Sequence, residues 1–427
     1  MLCALGNLPL AKLGGAKSKT TPKTHQETHR VIRRTVFFYP ALLALWALSA
    51  GGCDRCGKGK GPLTPGAPIA TPAVRAAYVT NNGSDSISVL DRDGDTVTTV
   101  PVDLDKGRAE APHHLAVDAK EQRAFVALAF PPAPSKKKDP HAAHGRADDV
   151  GQLALLDLRD LSVQKSVLVD ENPGDVILSR DRKKVLVTHY DMQRAMTVAA
   201  KGGGSPATMF AQLQVWDAGT LTLLGARPVC VAPHGMDLSP DDANVYIACY
   251  GSDELAVVDL RGTEFPVSRF PLGATPGVPG VPRYGPYSVA VSPGGQRVVV
   301  ANLESSDLKV FDTKARAFAA DGDVVLGARA FFPVFLDEDT LLVPTQAPDG
   351  LVRVDLQTHT VTRRAAFAKD QCELPHVVRQ AKDKRTYVVC EGDKKAAGAV
   401  VEVDASTLQI KRRWAVGVYP DGIDFGD

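Results

Sequence analysis

The 427-residue chain lacks an excess of either charge: 50 Lys and Arg stand against 49 Asp and Glu, a net of +1. That leaves no basic footprint for nucleic acid. The one dense basic run, Lys136 to Lys138, falls in a Pro-rich stretch and reads as a solvated loop. The N-terminal apolar run, Val36 to Ala50, is too short to span a bilayer. Helical periodicity is missing throughout. Missing too are a G-x-S-x-G elbow between strand and helix, a P-loop and a dinucleotide fingerprint, which removes the common elbow hydrolases and nucleotide-binding folds. Cys53 and Cys56 have the spacing of a haem-attachment motif, but Gly57 occupies the place of the iron-ligating histidine.

What is present begins with an export signal. Arg30, Arg33 and Arg34 precede the apolar run, and Ala50, Gly51, Gly52 and Cys53 follow it. This order looks like a lipoprotein signal, in which the cysteine takes the lipid and becomes the mature N-terminus; Ala50 stands where leucine is usual. A plain secretory signal is the alternative. The chain is therefore expected at the bacterial cell envelope, anchored by lipid on Cys53 and facing the periplasm or the cell surface. Residues 1–30 form a polar leader unusual for a signal, and a start at Val31 would remove it. Residues 54–74, rich in Gly, Pro and Lys, read as a flexible tether. The expected organisation is leader and signal over 1–53, tether over 54–74 and a folded domain over 75–427.

Beyond the tether the chain repeats itself. A β-branched run recurs as AYVTN, AFVAL, VLVTH, VYIAC, VVVAN, LLVPT and TYVVC, beginning at residues 77, 124, 185, 245, 298, 341 and 386. After each comes a run closed by an aspartate: Asp91, Asp157, Asp217, Asp259, Asp312, Asp355 and Asp404. These aspartates read as hairpin closers acting through their own backbone contacts rather than as catalytic groups. Before each run stands a proline and a short alternating strand, at Pro112, Pro173, Pro233, Pro286, Pro333, Pro375 and Pro420. Four short strands recurring at this period point to a radial β architecture. The first repeat lacks its first strand, and the C-terminal YPDGIDF supplies one with no repeat behind it. The two ends are expected to pair and so remove an open sheet edge.

With these repeats, and with Tyr78-Val79-Thr80-Asn81 spelling its signature, the chain resembles the YVTN-repeat family of bacterial β-propellers from Arg75 to Asp427. The resemblance implies an all-β, seven-bladed propeller of four-stranded antiparallel blades. Relatives by fold include lactonase-type propellers and haem-binding propellers of nitrite reductases, so fold does not choose the chemistry. Blade six, PVFLDEDTLLVPTQ, departs from the pattern because no Asn follows its second strand.

The motif CVAPH with Cys249 downstream, and CELPH with Cys390 downstream, place a cysteine, a Pro-His pair and a second cysteine at nearly the same spacing. In a propeller Cys230 and Cys249 share one end of a hairpin, as do Cys372 and Cys390. In an exported protein they are expected to form two disulfides within blades, a thiolate-imidazole metal site being the alternative. Cys56 has no evident partner.

Long insertions at 131–149, 191–210 and before Pro286 are expected on the face that carries the Pro-His pairs, which makes that loop-rich face the candidate site. His113, His114, Asp175, His234, Tyr287, His376 and Asp421 follow the marker prolines and are the candidate ligand-binding residues at the channel mouth. Three imidazoles, His113, His234 and His376, would suit copper or zinc, and His189, His141 and His144 could join them. The expected function is a binding or recognition scaffold rather than an enzyme, acting as a monomer. Its partner is an envelope protein, peptide, glycan or small molecule, contacts that Tyr284, Tyr287 and the Pro-rich loop 275–282 would suit. The alternative is an enzyme at the channel mouth, either metal-dependent or lactonase-like and drawing on Asp421, Asp175, Arg283 and His234.

Overall fold

The computed structural model describes residues 75–130, 150–202, 205–275 and 277–427. The leader, Cys53, Cys56, the tether, Lys136 to Lys138, His141 and His144 lie outside the described residues.

The described residues form seven antiparallel sheets of four principal strands arranged as a propeller. The first strand of each repeat is innermost and the fourth outermost. The middle strands are buried on both faces because neighbouring blades stack against them, so they read as continuous apolar runs rather than alternating ones. Arg297–Asn302 is an example, with Val298, Val299 and Val300 fully buried. Blades four and five meet through Tyr246, Val257, Val289 and Phe311, all in one apolar layer. Outermost strands such as Val97–Pro101 are largely exposed.

The C-terminal strand Pro420–Phe425 pairs with Ala76–Asn81 in the first blade, Ile423 opposite Val79 and Phe425 opposite Ala77. Arg92, whose side chain is fully buried, reinforces the closure by pairing with Asp427 and lying 3.3 Å from Asp383 of blade seven. The seven closing aspartates act on the backbone as expected: each accepts the N–H two residues on, from Asp91 with Asp93 (2.9 Å) to Asp404 with Ser406 (2.9 Å).

Two features depart from the sequence reading. The insertion after His189 contains a helix, Met192–Ala200, where no helical periodicity was expected. Asp191 caps it by accepting the Arg194 N–H at 2.9 Å, and Met192, Ala195 and Val198 turn onto a core that no isolated window reveals. In blade six the innermost strand is split into Arg329–Ala330 and Val334–Phe335. Phe332 between them bonds instead to blade seven, through its N–H to the His376 carbonyl (3.1 Å) and its carbonyl to the Val378 N–H (3.2 Å).

Both expected cysteine pairs are bonded, Cys230 with Cys249 and Cys372 with Cys390. The first is not within one blade, as expected, because Cys230 ends the outermost strand of blade three, Leu223–Cys230, and Cys249 ends the second strand of blade four, so the bond ties neighbouring blades. They exclude the thiolate-imidazole alternative, because bonded sulfurs are not available as thiolate ligands.

Candidate functional site

The innermost strands carry the site, and two local devices aim it. Immediately before the proline the backbone turns left-handed in six blades, at Ala111, Asn172, Ala232, Gly285, Leu374 and Tyr419, with φ between 47° and 61°. Four of these are neither glycine nor asparagine, so the conformation is held by its surroundings against local preference. The second device is the threonine of the YVTN and VTH runs. Thr188 Oγ1 accepts the Asp175 N–H of its own blade at 2.9 Å and donates to the His234 carbonyl of the next at 2.7 Å. Thr80 does the same between Gly422 (2.9 Å) and His113. These hydroxyls stitch adjacent blades at the residues that reach the axis.

At the axis, side chains from blades one, two, three and seven converge. Asp421 is central: one oxygen bonds His113 Nδ1, and the other lies 2.9 Å from His376 Nδ1 and 4.0 Å from His114 Nε2. His114 Nδ1 is held by Asp175 at 2.6 Å, and Asp175 spends its other oxygen on the Met236 N–H at 3.0 Å. His376 Nδ1 also lies 3.4 Å from Glu391, which Lys394 pairs at 2.8 Å. Two sets of potential metal ligands therefore share one carboxylate: His113, His114 and Asp421, and His376, Glu391 and Asp421, with ligand atoms within 4.8 Å of one another in each set. All are buried.

Burial alone would raise the Asp421 carboxyl, but His113 and His376 outweigh it and hold it well below the usual carboxylate range. Asp175 is likewise lowered, its burial outweighed by His114. Burial pulls His113 down despite Asp421, and His234 lies well below the usual value through burial and the neighbouring imidazoles. His376 moves the other way, because Glu391 and Asp421 overcome its burial. The cluster thus pairs ionised carboxylates with imidazoles of contrasting basicity.

These side chains do not stand at an open mouth on the loop-rich face. His113, His234, His376 and Asp421 have no exposed surface, and the ring ends at the prolines are closed by Tyr190, Tyr250, Tyr287, Phe331, Phe332 and Tyr419, each at most 7% exposed. The split of blade six is the cause, since it throws Phe331 and Phe332 across the axis: Phe332 lies 4.8 Å from the His114 ring and 5.3 Å from His376, and Phe331 5.3 Å from His376. A cavity of about 740 Å³ runs from His114 and Asp175 along the innermost strands to the short turns at their far ends. Exposure grows in the same direction, from buried Asp421 to the partly exposed Asp424 and Phe425. The cluster is reached from the face opposite the long insertions.

The placement of the other expected residues is mixed. His234 stacks on Tyr287 with ring centroids 4.1 Å apart and turns Nδ1 to the Tyr287 carbonyl at 3.2 Å, so it stands beside the ligand sets rather than in them. Tyr287 Oη lies 3.3 Å from His376 Nε2. His189 donates to the Gln212 carbonyl within blade three. Arg283 bonds Thr275 and lies 3.6 Å from Asp253, and it does not line the cavity, so the lactonase-like set that included it does not assemble. Sequence reasoning missed Glu391 and Arg379. Glu391 directly follows the second cysteine of its motif, and Arg379 interrupts an apolar innermost strand; both signals were readable once the axis was known.

No protein-family model matches the chain, and no curated protein does. Solved structures do. The chain is similar to a protein from Lactobacillus plantarum (TM-score 0.58, 18% identity, 82% of this chain and 98% of that one). It is similar to a periplasmic gluconolactonase of Pseudomonas aeruginosa (TM-score 0.58, 16% identity, 82% and 99%). A putative 6-phosphogluconolactonase of Bacteroides uniformis also superimposes (TM-score 0.57, 12% identity, 82% and 99%). At these identities the likeness establishes the propeller and no more.

Proposed function

We propose that this propeller binds a divalent transition metal, zinc or copper, on its axis, with His113, His114 and Asp421 as ligands and His376 and Glu391 on the second side of Asp421. The observation that carries this reading is His114. Its Nδ1 proton is committed to Asp175, which leaves Nε2 buried, without a hydrogen-bond partner and directed at Asp421. A carboxylate that orients an imidazole in this way is the usual second layer of a metal site, and zinc and copper accept nitrogen with carboxylate oxygen.

The test is metal content and affinity of protein purified without a His tag. Stoichiometric zinc or copper is expected, competed away by a chelator. His114→Ala should abolish it, and Asp175→Asn should weaken it about 10- to 100-fold because the imidazole loses its orienting partner. Wild-type protein that neither carries nor takes up metal, with unfolding unchanged by added zinc or copper, would reduce the cluster to a hydrogen-bond network.

A second reading, metal-assisted hydrolysis of a small cyclic ester, is favoured by the cavity that leads to the cluster, whose size is ordinary for a small-molecule site. Similar propellers include one called a gluconolactonase. Assaying the same preparations with gluconolactone tests it: turnover should vanish on chelation, and no turnover by metal-loaded protein would reject it.

We also infer that the chain belongs with the YVTN-repeat propellers and works outside the cytoplasm, a compartment that suits its two disulfides. Lipid on Cys53 would be read from the mass of the mature N-terminus, an unmodified cysteine counting against it.

A further inference from the structure

The cavity below the cluster has a charge pattern that metal binding alone does not explain. Arg379 enters it from the innermost strand of blade seven. Its guanidinium lies 5.9 Å from the centre of the Phe332 ring, and that ring contacts both His114 and His376, so the cation sits one side-chain layer from the proposed metal ligands. Among the described residues it makes one hydrogen bond, a long one to the Val378 carbonyl at 3.4 Å, and no ion pair. A guanidinium carries five N–H donors in a planar fork.

The acids around it are committed elsewhere. Asp175 serves His114 and the Met236 N–H. Asp237 accepts the Val291 and Leu238 N–H groups, each at 2.8 Å. Asp424 accepts the Val117 and Phe425 N–H groups, at 2.7 and 2.9 Å. At the rim, Asp118 is paired by Arg123 and Arg182, and Asp427 by Arg92. Lys120, Arg180 and Lys382 line the same opening and form no ion pair among the described residues. The walls thus present spare cationic donors at two depths, and a low-dielectric funnel concentrates that field along the axis.

We propose that this channel is a binding site for a small oxyanion, a carboxylate or phosphate, gripped by Arg379 and drawn in past Lys120, Arg180 and Lys382. The fork of Arg379 matches two oxygens of such a group. The site rests on the metal reading in one respect only: a metal held by His113, His114 and Asp421 would add positive charge at the inner end of the cavity, and affinity would rise.

Calorimetric titration of inorganic phosphate and of malonate into chelator-stripped and zinc-loaded protein tests this. At least one anion should bind both forms, the preference between them identifying the chemical source, and zinc should tighten it. Arg379→Gln should weaken binding about 10-fold or more in both forms, the scale of a lost charge-assisted contact, while leaving zinc affinity unchanged. Arg379→Lys, which keeps the charge without the fork, should fall between and guards against a folding defect. If zinc neither binds nor tightens the anion but the Arg379 dependence holds, the oxyanion site stands and the metal reading falls. Absence of binding by either anion to either wild-type form, or equal affinity in Arg379→Gln, overturns the proposal.

Discussion

Two threonine hydroxyls set much of this site. Thr188 and Thr80 each tie an N–H of one blade to a carbonyl of the next, and those carbonyls belong to His234 and His113. The Thr of the YVTN signature is thus a positioning residue, which its recurrence alone did not reveal. The imidazoles also fix how the metal-free protein responds to acid. His113, His189 and His234 are buried with lowered basicity, so below their ordinary value of 6.5 the unfolded chain takes up protons that the folded chain refuses. Stability should fall as the pH drops through that region. His376, raised in the fold, has the opposite sign: its contribution is complete below 6.5 and is lost as the pH rises through its folded value. Three groups against one give a net acid limb. Urea midpoints from about pH 7 to about pH 5 should show it, and His234→Asn should flatten it. A variant profile parallel to the wild type would mean that His234 is not held neutral.

Among elements, the hairpins carrying the paired cysteines were legible because both ends of each loop are marked. The separations are 19 and 18 residues, and at the loop-rich end one bond ties the outermost strand of blade three to blade four while the other ties the short helix Lys369–Cys372 to blade seven. Closing loops of this length stabilises by about 3 kcal/mol in the chain-entropy account. The double variant Cys230→Ala with Cys249→Ala should lose roughly that amount in urea unfolding, and stability equal to the wild type would refute the estimate. The proline markers and closing aspartates were equally readable, since each acts on backbone within a few residues. The split strand of blade six was not. Nothing local in FFPVF distinguishes a strand from a segment that leaves its own sheet, because the deciding partners, the His376 carbonyl and Val378 N–H, belong to another blade. The helix at Met192–Ala200 escaped for a similar reason: its apolar face is short and is stabilised by tertiary packing rather than by propensity.

For the molecule as a whole, closure is the controlling event. Residues 420–427 supply the innermost strand of the first blade, the partner of Arg92 and the central carboxylate of the site. Deleting them would expose the inner edge of that sheet, take Asp427 from the buried Arg92 and take Asp421 from His113 and His376. Cooperative unfolding should be lost and the protein should self-associate, measured by urea titration and sedimentation; a truncated chain that unfolds as cooperatively as the wild type would show that the ring does not depend on this strand.

The sequence by itself determined the number of repeats, the strand pattern, the closure and the disulfide pairs, because strand periodicity, turn residues and cysteine spacing act over short distances along the chain. It also singled out the histidines and aspartates after the prolines. Only the tertiary structure decided which of them meet, that Phe331 and Phe332 seal the expected mouth, and that the approach is from the other face with Arg379 in the way. Those outcomes depend on side chains from different blades competing for one axis, and the distance between two residues across a ring is not written in their separation along the chain.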